Sequence, residues 1–230
     1  MGKRWQSLAL VVGILVASLF ASVSPAQAAE DLVLPVPYRS QFDGTVWAAS
    51  NCGPTSIAMV LEAYDQDVPT KTLRDRANQL YGIASPSTGT RIEDLARVVQ
   101  ERGLTTFGLM DGRAFHKWTL DDVRAEIEAG RPVVALVYYP SLPNHKGGAA
   151  IGHYIVIVGV EGDDFLFNDS ATHNGSGYQV PITAAQLTRA WQYGSHPMSG
   201  FSVGPAAGEP SLLSKQDEVF PLLIGGHFLW

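Results

Sequence analysis

Four amphipathic helical segments precede the three strongest β-forming runs of this 230-residue chain, and that order restricts its fold more than any other feature. The first, "SNCGPTSIAMVLEAY" (50–64), sets Ile57, Val60, Leu61 and Tyr64 at helical spacing. "TKTLRDRANQLYG" (70–82) and "RIEDLARVVQERG" (91–103) are amphipathic and end in glycine, as does "TLDDVRAEIEAG" (119–130), which Thr119 caps. "LTTFGLM" (104–110) reads as a strand between the third and fourth helices. From residue 131 the character changes. "RPVVALVYYP" (131–140), "GHYIVIVGV" (152–160) and "DFLFNDS" (164–170) are β-branched and aromatic, bounded by Gly, Pro and Asp. A short capped helix, "TAAQLTRAWQ" (183–192), follows them. Helices first and strands later is the segregated α+β pattern, not an alternating β-α-β one. Pro35 and Pro37 keep the entry segment 32–38 extended.

Residues 1–28 read as a signal peptide outside that fold. Lys3 and Arg4 precede an apolar run, and Ala26 and Ala28 occupy A-x-A positions before a cut ahead of Ala29. The rival reading is a retained anchor, because Leu8 to Ala28 is uncharged and a span needs ~20 apolar residues. Its second half, rich in Ser, Ala and Pro and without a basic stop-transfer flank, favours removal. The expectation is a secreted or cell-envelope protein with no stable membrane insertion after cleavage. Losing Lys3 and Arg4 moves the net charge from -6 to -8, which argues against nucleic acid as a partner. The mature chain then divides into one domain over 29–203 and a tail over 204–230 of unassigned role.

Cys52 is the only cysteine, so no internal disulfide forms and an exported protein carries one free thiol. A small buried hydrophobe is the plain reading of such a residue. Its setting offers another. Pro54 is favoured at the first position of a helix, which puts Cys52 at or just before the cap, where unpaired amides and the helix dipole lower a thiol pKa. A thiolate nucleophile also needs an imidazolium partner. Of six histidines, His116, His145, His173, His196 and His227 lie in polar or loop-like surroundings, whereas His153 opens the most apolar strand.

A third group should fix the imidazole. Asp169 ends the next strand. With a three-residue loop over 160–162, antiparallel partners sum to 322 and His153 stands opposite Asp169; a two-residue turn would put them on opposite faces. Asn168 is the alternative, while Asp163 and Asp164 read as turn formers. For an oxyanion, the Cys52 amide and the Gln41 side chain are the candidate donors, with Asn51 read as a cap or turn residue.

"VPYRSQFDG…SNCGPTSIAMVLEAY", followed by "GHYIVIVGV" and "FLFNDSA", resembles the C39-like branch of the papain-like cysteine peptidases over residues 36–171. The resemblance implies a papain-like fold, with the nucleophile helix packed on a C-terminal antiparallel sheet. It implies Cys52 as nucleophile, His153 as base, Asp169 as orienting acid and Gln41 as oxyanion donor, acting on a peptide or protein substrate without a cofactor. Family members often carry Pro after the acid, where this chain has Ser170. Well-known members cleave leader peptides at double-glycine sites within a transporter; no transporter segments are read here, so that substrate is not carried over.

Metal and nucleotide sites are not expected, because ligand pairs such as C-x-x-C or H-E-x-x-H and phosphate-binding glycine motifs are missing. "GGAAIG" (147–152) reads as a loop beside His153. Two alternatives stay open: another thiol-dependent acyl transfer (cell-wall peptide amidase, isopeptidase or transferase), and a non-catalytic binding domain of the same fold. Trp47, Trp118 and Tyr154 are either groove aromatics or core.

Overall fold

A computed structural model describes residues 31–192 and 196–219, with side chains as far as Lys215. The expected signal segment, its cut before Ala29, His227 and residues 220–230 of the tail lie outside the described residues.

The four expected helices form close to their sequence limits: α1 (Cys52–Ala63), α2 (Thr70–Tyr81), α3 (Ile92–Glu101) and α4 (Leu120–Glu128). Helix α1 is buried from Gly53 to Leu61, which suits a helix apolar on most of its surface. It packs against α2, α3 and the sheet. Gly82, just past α2, adopts φ 72°, the left-handed closure that glycine permits without strain. A reciprocal capping box starts α4: the Thr119 hydroxyl accepts from the Asp122 amide, and the Asp122 carboxylate accepts from the Thr119 amide.

The sheet is antiparallel throughout. Its strands are β1 (Leu32–Val33), β2 (Thr105–Phe107), β5 (Val133–Tyr138), β6 (Gly152–Glu161), β7 (Asp164–Asn168), β8 (Val180–Ile182) and β9 (Gly200–Gly204), in the order β2-β9-β5-β6-β7-β8. The remaining strands, β3 (Met110–Asp111) and β4 (Ala114–Phe115), make a separate hairpin. Strand β6 is the spine. Its first half pairs with β5, and beyond that pairing β1 takes over through Val33 opposite Gly159. Helix α5 (Ala184–Trp191) closes the domain with a second capping box, Thr183 with Gln186.

Two expectations need correction. The segment 104–110 is not one strand: β2 ends at Phe107 and β3 begins at Met110, with Gly108 at φ 66° between them. The β6–β7 connection is not a three-residue loop. Glu161 pairs with Asp164, leaving the two-residue turn Gly162–Asp163 and an odd register sum of 325. A bulge between Ile157 and Gly159 then restores an even sum, 324, at Val156–Asn168. His153 and Asp169 therefore share a face as diagonal neighbours, one pleat from being directly opposite.

Strand β9 sits inside the sheet between β2 and β5, and Gly204, its last residue, falls just past the expected domain limit. The chain continues into α6 (Leu212–Val219), whose Leu212 is buried in the same core, and Lys215 pairs with Asp65.

Candidate active site

The segment before α1 forms a 3-10 turn at Ala48–Ser50, and the first helical hydrogen bond runs from the Thr55 amide to the Asn51 carbonyl at 2.8 Å. Cys52 is thus the first helical residue and Asn51 the cap, without a side-chain cap bond. Pro54 is third rather than first, still within the stretch whose amides lack helical acceptors. Gly53 allows the helix start to sit tightly against its neighbours, since a Cβ there would lie 2.3 Å from Thr90 Oγ1 and 2.7 Å from Leu95.

His153, the second residue of β6, is buried beside the Cys52 thiol. Its Nε2 donates to Asp169 Oδ1 at 2.7 Å, which leaves Nδ1 for the sulfur. Burial favours the neutral thiol and is the largest single influence on Cys52. The hydrogen bond and charge of His153, with the amides of Tyr154 and Gly53, outweigh it and hold the thiol below its ordinary pKa. Burial likewise opposes the charged imidazole, but the Asp169 bond and the Cys52 thiolate raise His153 to about 9. Thiolate and imidazolium stabilise each other.

Asp169 lies just past β7 and is fully buried. Oδ1 accepts from His153 and, at 2.9 Å, from the Ala171 amide; Oδ2 accepts from Asn144 Nδ2 at 2.8 Å and His145 Nε2 at 2.6 Å. Burial pushes its pKa up, yet His145, His153 and the Ala171 amide keep it well below the usual carboxylate range. Asn168, the alternative acid position, points elsewhere: its Nδ2 donates to the Val36 carbonyl at 3.1 Å and its Oδ1 accepts from the Gln179 amide.

Gln41 is buried beside Cys52 in a groove of about 480 Å³. Its Oε1 accepts from Ser170 Oγ and its Nε2 donates to the Ala48 carbonyl, both at 2.9 Å, so the amide is held at both ends and one Nε2 hydrogen stays uncommitted. Ser170, the departure from the family pattern, is thus the residue that orients Gln41. Asn51 faces Asp43, 3.3 Å away. Ser87, Gly89, Thr90, Tyr139 and Ile151 also line the groove.

Tyr154 lines this groove and donates to the Thr90 carbonyl at 3.0 Å. Trp118 is core, and Trp47 stacks on Arg74. His145 departs from the expectation of a solvated loop histidine, for it binds Asp169 and stacks on Tyr139. No spacing rule could have found that contact, because it joins a loop to a strand end. Among the described residues, no group of three or more His, Cys, Asp or Glu side chains is placed to hold a metal, and no helix is long and apolar enough to cross a membrane.

The model of the Peptidase_C39 like family matches residues 33–197. Solved structures share the fold, and three of them are the following. A Bacillus anthracis protein described as a C39-like peptidase aligns at TM-score 0.53 and 16% identity over 76% of this chain and 97% of its own. The peptidase domain of Streptococcus ComA, a bifunctional ABC transporter of a quorum-sensing pathway, aligns at 0.52 and 15% over 74% and 98%. Xylellain, a cysteine protease from Xylella fastidiosa, aligns at 0.51 and 14% over 79% and 88%. No curated protein matches the sequence.

Proposed function

The chain belongs to the Peptidase_C39 like family and is a cysteine-type peptidase, and from that premise we propose that it cleaves peptide bonds through Cys52, His153 and Asp169, with Gln41 in the oxyanion site. One observation carries the reading: a buried carboxylate bonds a strand-borne imidazole, and that imidazole stands beside a thiol at a helix start.

In this reading the Cys52 thiolate attacks the scissile carbonyl carbon, and the carbonyl π pair moves onto oxygen. The Cys52 amide, one of the unpaired donors of the helix start, and the free Nε2 hydrogen of Gln41 bind that oxyanion. Collapse expels the amine, which takes its proton from His153 Nδ1, and leaves a thioester. Neutral His153 then removes a proton from water, the hydroxide adds to the thioester, and the second collapse returns thiolate, imidazolium and a free acid. Asp169 holds the Nε2 proton throughout, which fixes the ring and steadies its charge. Residues 1–28 direct export, so the substrate is a peptide or protein met outside the cytoplasm.

The test is the iodoacetamide alkylation rate of the folded mature protein at pH 5, beside His153→Ala. A fast rate that the substitution abolishes supports the thiolate–imidazolium pair. Equal, slow rates in both proteins contradict it and return Cys52 to a structural role.

A further inference from the structure

Helix α2 carries an arginine on its buried face. Arg74 lies between the core residues Leu73 and Ala77 and is wholly inaccessible to solvent. A buried guanidinium ordinarily has a carboxylate partner, because removing a charge from water is costly. Arg74 has none among the described residues. Its Nη1 donates to the Ser50 carbonyl at 2.8 Å, and Nη2 to the carbonyls of Thr88 at 2.6 Å and Ser85 at 3.3 Å. Trp47 covers the guanidinium, 4.4 Å from ring centroid to Cζ, and Nε has no acceptor. Partial dipoles and a ring face surround a full positive charge.

The two segments it grips flank the nucleophile. Ser50 is two residues before Cys52, and the 85–88 stretch leads into the Gly89–Thr90 wall of the groove. We propose that Arg74 is a second cation of the active site, favouring the Cys52 thiolate through space while its fork fixes the segments on either side of it. The proposal rests on the reading of Cys52 as nucleophile. Arg74 stands one hydrogen bond from Ser50, two residues before Cys52; burial disfavours its charged form, and the Cys52 thiolate favours it. The other groups around the pair are accounted for. His153 and the Tyr154 amide face the sulfur from β6. Glu93 and Asp94 of α3 bear on the Tyr154 phenol, and Asp94 is bound by Arg91. Asp43 bonds Asn51, and Asp75, beside Arg74 in sequence, pairs with Lys71. Each of these four acids has another partner or bears on another group, and none is bonded to Arg74, which leaves the thiolate as the anion Arg74 can serve.

The experiment compares the pH dependence of iodoacetamide alkylation for the mature wild-type protein, Arg74→Lys, Arg74→Gln and Arg74→Met, with thermal midpoints measured beside it. Cys52 is the sole cysteine, so the adduct is unambiguous. In both neutral variants the acidic limb should move to higher pH, and the rate at pH 5.5 should fall about tenfold. Arg74→Lys, which keeps a charge and loses the fork, should stay within about threefold of wild type. Two neutral variants are included so that one carries the test if the other does not fold. An unmoved limb in the neutral variants, or a limb that moves as far in Arg74→Lys, overturns the proposal and leaves Arg74 a brace. A wild-type limb at the ordinary thiol pKa would instead defeat the reading of Cys52 on which it rests.

Discussion

His145 Nε2 lies 2.6 Å from Asp169 Oδ2, the oxygen that His153 leaves unused. One carboxylate is thus shared by two imidazoles, and Tyr139 stacks on one ring while meeting the other edge-on. Substituting His145 by Ala should loosen Asp169 without touching substrate. A lowering of kcat by about tenfold, equivalent to about 1.4 kcal/mol, is expected with KM unchanged. His145→Gln, which keeps a donor, should recover part of the loss. Steady-state kinetics on a fluorogenic peptide would check both.

The pH dependence follows from the direction of each shift. His153 titrates at about 9 against an ordinary 6.5, so the stability it adds is whole below about 6.5 and fades as pH rises through about 9. Asp169 and Cys52 are both depressed; what they add is whole above their ordinary values and is lost as pH falls through the lowered ones. Because thiol and imidazole titrate as a coupled pair, kcat/KM should hold a plateau from the acidic side up to about 9 and fall beyond it. Removing the thiolate with Cys52→Ala should bring the His153 pKa down from about 9, as followed by NMR of the ring protons.

Gln41 is the side-chain oxyanion donor of this account. Gln41→Ala should lower kcat by about 10²–10³ with a smaller effect on KM. Ser170→Ala, which frees the Gln41 carbonyl, should produce the same kind of loss at smaller size, because the Ala48 contact remains. A Ser170→Ala loss as large as that of Gln41→Ala would mean that Ser170 does more than hold the amide.

Gly53→Ala should disturb the helix start through packing. The new methyl would meet Thr90 Oγ1 at 2.3 Å and Leu95 at 2.7 Å, so neighbours must move. A destabilisation of about 1–3 kcal/mol is expected from such overpacking, read as a lowered thermal midpoint.

The helices were readable because their own residues specify them: Thr119 and Asp122 close a capping box, and Gly82 takes a left-handed turn. Strand β9 was not. Gly200 and Gly204 weaken its β signal, yet a Cβ at either would press on Trp191 or on Phe107 and Arg131, contacts that exist only in the assembled sheet. The sequence pairs Asp169 with His153 only through a loop length that the fold does not have. The two-residue turn would have separated their faces, and the bulge near Val158, which nothing local announces, brought them back together. His145 and Arg74 stayed hidden for a related reason. His145 meets Asp169 across 24 residues of chain, and Arg74 meets Ser85, Thr88 and Ser50 across 11, 14 and 24, separations at which periodicity carries no information.

The most direct test of the central claim is digestion of a diverse peptide library by the mature protein and by Cys52→Ala, with new termini identified by mass spectrometry. The account predicts cleavage products with the wild type and an intact library with the variant. Identical products from both proteins, or a library left intact by the wild type, would contradict it.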